Sequence, residues 1–191
     1  MDMFKNAIPE HIDPRYYLDN LYQYTRDLVL DHQKAYSLEW YQKAAEQSFA
    51  KSQYKLGQMY REGEVVPQDD KKALTWLQKA AEQGHAEAQF DLAYLYHNGQ
   101  VVSQNYAEAH KWYQKAAEQG HPIAQGALGF FYEHGYGGSQ NLEKAYLWYT
   151  IAVSNGFKEV IKWQKQLSTL LNTQQIAQVK IQAEQWLAEH D

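Results

Sequence analysis

The chain has 191 residues, 45% hydrophobic and 15% aromatic, which suits one domain or one continuous solenoid and argues against disorder. Its 18 basic and 23 acidic residues are intermingled at a net charge of −5, so no basic block supports nucleic-acid binding. There is no cysteine, which excludes disulfides, thiolate metal sites and cysteine nucleophiles, and no apolar run long enough to span a bilayer.

Residues 1–14, with Pro9 and Pro14, read as a lead-in. The first ten residues show neither an apolar leader segment nor a small-residue cleavage site, so a cytoplasmic location is expected. From there the chain repeats itself. Trp40, Trp76, Trp112 and Trp148 stand 36 residues apart. The first three open nearly identical stretches, Trp40 to Gln47, Trp76 to Gln83 and Trp112 to Gln119, and Trp148 to Asn155 is a drifted fourth copy. A fixed period in this range is the signature of stacked helical units.

The first unit is degenerate, with Arg15 to Asp27 expected as helix A and Gln33 to Gln47 as helix B. The next three share a helix A of the form Gln-x-x-Leu-small-x-x-Tyr-x-x-Gly: Gln53 to Gly63, Gln89 to Gly99 and Gln125 to Gly135. The small residue (Gly57, Ala93, Gly129) allows close approach of a partner helix, and the final glycine suits a left-handed helix end. In the loop, Val65-Val66 and Val101-Val102 are expected to tuck against the helices. Asp69, Asn105 and Asn141 then recur in phase as N-caps of helix B. Helix B carries Ala73, Trp76, Leu77, Ala80 and Ala81 on one face and ends at Gly84, Gly120 or Gly156. Neither helix can bury its apolar face alone, so successive units must stack. After Gly156 the period stops. Lys158 to Leu171 and Gln174 to Glu189 read as two sealing helices, with Asn172 or Thr173 at the turn between them. The expected fold is an all-α, right-handed α/α superhelical solenoid of about four helix pairs with a C-terminal cap. Its organisation is a lead-in over 1–14, repeats over 15–157 and capping helices over 158–191.

Features that suggest chemistry have plainer explanations. Gly135 to Ser139 falls where each unit has its loop and lacks the lysine of a phosphate-binding loop. His85 and His121 share one repeat position and read as surface residues too far apart to share a metal. His97 and His134 fall near the ends of adjacent A helices, with Glu133 beside His134, but no metal site is expected there. The tryptophan stripe reads as core. No nucleophile elbow is present. No catalytic, cofactor or metal residue is assigned.

The stretch Ala86 to Gly120 closely resembles the Sel1-like repeat family, relatives of the tetratricopeptide repeats, and the likeness covers roughly residues 15–157. Its loops depart from the family pattern: Glu64 to Gln68 and Gln100 to Gln104 lack the second glycine that Gly137 supplies. The resemblance implies a non-enzymatic scaffold that binds another protein. Two roles follow from it, a bacterial adaptor or an immunity protein neutralising a secreted toxin. The small size and acidic charge lean towards the second. The alternatives are a periplasmic peptidoglycan-associated protein, which would need a leader before Met1, and a metal-binding or catalytic protein. Neither nucleic acid nor membrane insertion is expected, and the chain is expected to be a monomer or weak dimer.

In stacked helix pairs the A helices line the concave face, so positions that vary there while the repeat pattern stays fixed are the binding candidates. The second unit supplies Lys51, Tyr54, Lys55, Gln58 and Arg61. The third supplies Glu87, Asp91, Tyr94, His97 and Asn98. The fourth supplies Ile123, Phe130, Glu133 and His134. The face passes from basic to acidic–aromatic to apolar, and Tyr94 and Phe130 are the expected hot spots.

Overall fold

The computed structural model describes residues 31–190, with side chains from residue 37. The expected first A helix, Arg15 to Asp27, lies outside the described residues. Helix α1 (Asp31–Glu46) holds the place of the first helix B. Three A/B pairs follow: α2 (Ala50–Glu62) with α3 (Asp70–Glu82), α4 (Ala86–Asn98) with α5 (Tyr106–Glu118), and α6 (Pro122–His134) with α7 (Leu142–Ser154). A single 3-10 turn (Lys158–Val160), α8 (Ile161–Ser168) and α9 (Thr173–His190) complete the described chain. Each helix packs on the next through α7, while α8 and α9 both lie against α7. The protein is an all-α solenoid.

Local chemistry fixes the boundaries of the B helices, of α9 and of the A-helix ends. Asp69, Asn105 and Asn141 cap their B helices, accepting from Lys72 N, from Ala107 N and Glu108 N, and from Lys144 N. Asn172 caps α9 in a reciprocal box: its Oδ1 accepts from Gln175 N, and Gln175 Oε1 accepts from Asn172 N, both at 2.9 Å. The A helices end at Gly63, Gly99 and Gly135, all left-handed. The close approach expected at the small position is present at Gly129. A Cβ there would lie 2.6 Å from the ring of Tyr149, which is fully buried on α7.

Two expectations about packing are corrected. Val101 does not tuck in; it is 48% exposed and takes a left-handed φ of 65°, the conformation that Gly137 adopts one repeat later. The tryptophan stripe is core only towards the C-terminus. Trp112 and Trp148 are buried, and Trp148 meets Trp186 of α9 edge-on with centroids 5.8 Å apart. Trp76 is half-buried, with the Lys79 ammonium 4.2 Å over its ring.

Beyond Gly156 two buried positions of the repeat persist. Val160 is buried at the position of Ala88 and Ala124, and Leu167 at that of Leu95 and Phe131. Helix α8 thus keeps two of the buried positions of an A helix. The likeness is hidden because Gln164 stands where Leu56, Leu92 and Leu128 stand in the repeats.

Candidate protein-binding face

The A helices bring the candidate side chains onto one side through a frame of buried polar bonds. Gln53, Gln89 and Gln125 are buried, and each donates Nε2 to the last turn of the preceding helix B: Ala45 O at 3.0 Å, Ala81 O at 3.0 Å and Ala117 O at 3.2 Å. Each also accepts from an amide just past its own unit's helix B: Gln83, Gln119 or Asn155. The glutamine thus gives a helix-terminal carbonyl a second donor beside its backbone one and locks three consecutive helices.

His85 and His121 are part of the same frame and are not surface residues. Each Nδ1 accepts from a backbone N–H of the first turn, Ala88 N at 3.3 Å and Ala124 N at 3.2 Å. Their rings stack on Tyr54 and Phe90 of the preceding A helix, with centroids 4.6 and 4.7 Å apart. Burial pushes both below the usual histidine range. His85 Nδ1 also lies 3.2 Å from Glu87 Oε2. A single Nδ1 cannot accept from Ala88 and donate to Glu87 at once, and burial favours the neutral, accepting form. Phe157 takes the histidine position before α8. Its ring edge would lie 2.6 Å from a Cβ on Gly126, so the absent side chain makes room for it.

On this frame the candidates divide. Lys51, Glu87, Tyr94, Asn98, Ile123 and His134 are exposed, and Tyr94 and Ile123 stand out as large apolar surfaces at 48% and 46%. Arg61 reaches across from α2 to α4, where its Nη1 donates to Asp91 Oδ2 at 3.1 Å. Burial pushes the Asp91 carboxyl above the usual carboxylate range, while the Arg61 guanidinium and the Tyr54 hydroxyl favour its charge. Gln58 donates to Tyr54 Oη at 2.9 Å and accepts from Lys55 Nζ at 2.9 Å.

The other candidates turn inward. His97 lies among Phe131, Tyr106 and Tyr113, with centroids 5.1, 5.9 and 6.3 Å away, and burial lowers its pKa. Glu133 accepts from the Tyr149 hydroxyl at 2.7 Å. Phe130 is half-buried, with the His134 ring 4.1 Å away. The sequence reading missed Trp163, which is 39% exposed on α8 with its ring 6.1 Å from Tyr149. Adding 36 to Ala127 would have found it.

Among the described residues no group of three or more His, Asp or Glu is placed to hold a metal ion. No helix there is long and apolar enough to cross a membrane. Two shallow clefts lie beside the amide ladder. One, of about 330 Å³, is bounded by Gln119, Asn155, Trp186 and His190, and the other, of about 490 Å³, by Ser48, Gln53, Trp76 and Gln83.

The model of the Sel1 repeat matches residues 28–49, 50–85, 86–121 and 122–157. The last three matches begin where α2, α4 and α6 begin. A Sel1 repeat protein from Oxalobacter formigenes is similar in structure, with 32% identity and a TM-score of 0.64 over 66% of this chain and 95% of that one. So is c5321, a protective antigen of uropathogenic Escherichia coli with an SLR fold, at 27% identity and a TM-score of 0.53 over 80% of this chain and 41% of that one. Cysteine-rich protein B of Helicobacter pylori shares the fold at 22% identity and a TM-score of 0.50, covering 67% of this chain and 92% of that one. Among curated proteins none matches the sequence. With four consecutive units matched and the helix pairs falling on the same boundaries, the chain belongs to the Sel1 repeat family, whose solenoids are scaffolds for protein–protein interaction.

Proposed function

We propose that the chain binds a partner protein through the face formed by its A helices and performs no chemistry of its own. The observation that carries this reading is the pair Tyr94 and Ile123: large apolar side chains left exposed on neighbouring A helices. The residues that hold those helices, Gln53, Gln89 and Gln125, are buried and hydrogen-bonded. Rigid display of this kind limits the ordering cost of binding, and exposed aromatics on a fixed support are the residues that dominate interface energy.

The role is that of an adaptor or of an immunity protein covering a toxin. The two differ in what happens to the partner. An adaptor leaves its partner active, whereas an immunity protein abolishes its activity.

The test is affinity capture from native lysate with the wild type and with a Tyr94→Ala/Ile123→Glu variant, both checked for folding by circular dichroism. Both positions are exposed, so the variant spares the core, unlike a change at half-buried Phe130. The expected result is one protein retained by the wild type and lost by the folded variant. Equal retention by both would place binding elsewhere. The captured partner, assayed with and without the chain, then separates adaptor from immunity protein.

A further inference from the structure

The two clefts beside the amide ladder are the same place in two different units. Ser48 and Gln83 border the first, and Gly120 and Asn155, each two repeat periods further on, border the second. Ser48 and Gly120 share left-handed backbone, at φ 66° and 85°. The polar floor repeats as well: Gln83 Nε2 donates to Gln53 Oε1 at the first cleft, and Asn155 Nδ2 donates to Gln125 Oε1 at the second.

What differs is the wall. At the second cleft α9 supplies Trp186, Leu187 and His190. Trp186 meets Trp148 edge-on, and the His190 ring stacks on Trp186 with centroids 3.9 Å apart. Trp148 is buried there, and the cleft is held to about 330 Å³. At the first cleft Trp76 stands in the place of Trp148, and among the described residues no aromatic ring lies against it. Trp76 is left half-buried beside a space of about 490 Å³. Its ring is covered only by the ammonium of exposed Lys79, which stands where the later unit has buried Ile151.

The rim is acidic. Glu46 and Glu82 are exposed on it, and among the described residues neither is in an ion pair. Lys79 is the one cation lining the cleft, and it is engaged with the Trp76 ring. The later unit has Ser154 in place of Glu82.

We infer that the first cleft takes a helical segment of a partner protein, one that brings an aromatic and an aliphatic side chain to Trp76 as α9 brings Trp186 and Leu187 to the later unit. A lysine or arginine one turn further along, at the place of His190 in α9, faces Glu46 and Glu82. The incoming ring displaces Lys79 from the indole. The site is separate from the A-helix face and does not rest on the reading of that face. Thr75 and Lys111, exposed on the B helices, do not line it.

The probe is a synthetic alanine–glutamine peptide of about 15 residues, long enough to hold some helix. It carries Trp-Leu-x-x-Lys and is titrated into the intact chain, with NMR of the side-chain N–H groups as the readout. The Trp76 indole and the Gln53 and Gln83 carboxamides should shift together. A Trp-Leu-x-x-Glu peptide should bind roughly threefold more weakly, and an Ala-Ala-x-x-Lys peptide roughly tenfold more weakly. Lys79→Ile, which copies the later unit, should strengthen binding roughly threefold by freeing the indole. Glu46→Gln/Glu82→Gln should erase the preference for the lysine peptide over the glutamate one. All three positions are exposed, so these variants should keep the wild-type melting temperature. No shift at Trp76, equal binding of the lysine and glutamate peptides, or weaker binding by Lys79→Ile would overturn the inference. Two further results would also overturn it by naming another occupant. A Trp76 indole signal that moves on dilution of the chain alone would give the cleft to a second copy. Broadening of that signal by a spin label on Asp2→Cys, in a chain with no other cysteine, would give it to residues 1–30 of the same chain.

Discussion

Gln89 of α4 and Gln119 at the end of α5 are joined by a hydrogen bond of 2.6 Å, and the same Gln89 side chain donates to Ala81 O at 3.0 Å. One buried amide therefore ties α3, α4 and α5 together, and Gln53 and Gln125 repeat the arrangement. Gln89→Ala removes both hydrogen bonds and the buried side chain's packing, which costs about 2–3 kcal/mol although Ala81 O keeps its bond from Gly84 N. Gln119→Ala, at an exposed position, should cost under about 1 kcal/mol. Urea unfolding of the two variants checks the ordering, and an equal cost would mean that the ladder is not what couples the units.

Val101 and Ser48 hold left-handed backbone at φ 65° and 66° where their repeat equivalents Gly137 and Gly84 stand at 73° and 90°. A side chain in that region costs roughly 1–2 kcal/mol, most for a β-branched residue. Val101→Gly and Ser48→Gly should each stabilise the fold by about 1 kcal/mol after the extra chain entropy of glycine is subtracted. Melting temperatures report this, and a fall in either variant would contradict it.

Ser52 is buried at the position of Ala88 and Ala124, and its hydroxyl has no hydrogen-bond partner. Ser52→Ala should therefore raise stability by about 1 kcal/mol, since an unsatisfied buried hydroxyl is removed and the volume barely changes. A loss in urea unfolding would show that the hydroxyl is satisfied in solution.

Burial lowers the pKa of His85, His97, His110 and His121 from 6.5. The unfolded chain then takes up protons that the folded chain resists. Their contribution is full above about pH 6.5 and is lost as the pH falls from there through the depressed folded values. Asp91, raised by burial, works in the opposite direction, with its contribution full only below 3.8. Melting temperature should fall between about pH 7.5 and pH 5. The fall should shrink in His85→Asn/His121→Asn, because Asn caps the helix without titrating there. An unchanged pH profile in the variant would assign the effect to other groups.

The helix pairs were legible because three repeats carry the same glycines, caps and apolar face, so Gly63, Asp69 and Trp76 each had two witnesses. Polar side chains that bond to the backbone were not. Gln89 stood in the motif, but its partners Ala81 and Gln119 are fixed only by stacking. His85 looked like surface because capping by an imidazole nitrogen has no sequence signal distinct from a solvated histidine. Trp163 was missed because α8 loses the leucine that marks an A helix while keeping its buried positions at Val160 and Leu167. Of the candidate face, Tyr94 and Ile123 lie where the repeat register puts them, whereas His97 and Glu133 are drawn inward by Phe131 and by the Tyr149 hydroxyl.

The most direct measurement of the central claim is site-specific photocrosslinking in the native cell. A photoreactive amino acid is placed at Tyr94 or Ile123 on the A helices, or at Thr75 or Lys111, which are exposed on the B helices. The account predicts one adduct of the same mass from Tyr94 and Ile123 and none from Thr75 or Lys111. Adducts from Thr75 or Lys111 with none from Tyr94 and Ile123 would contradict it.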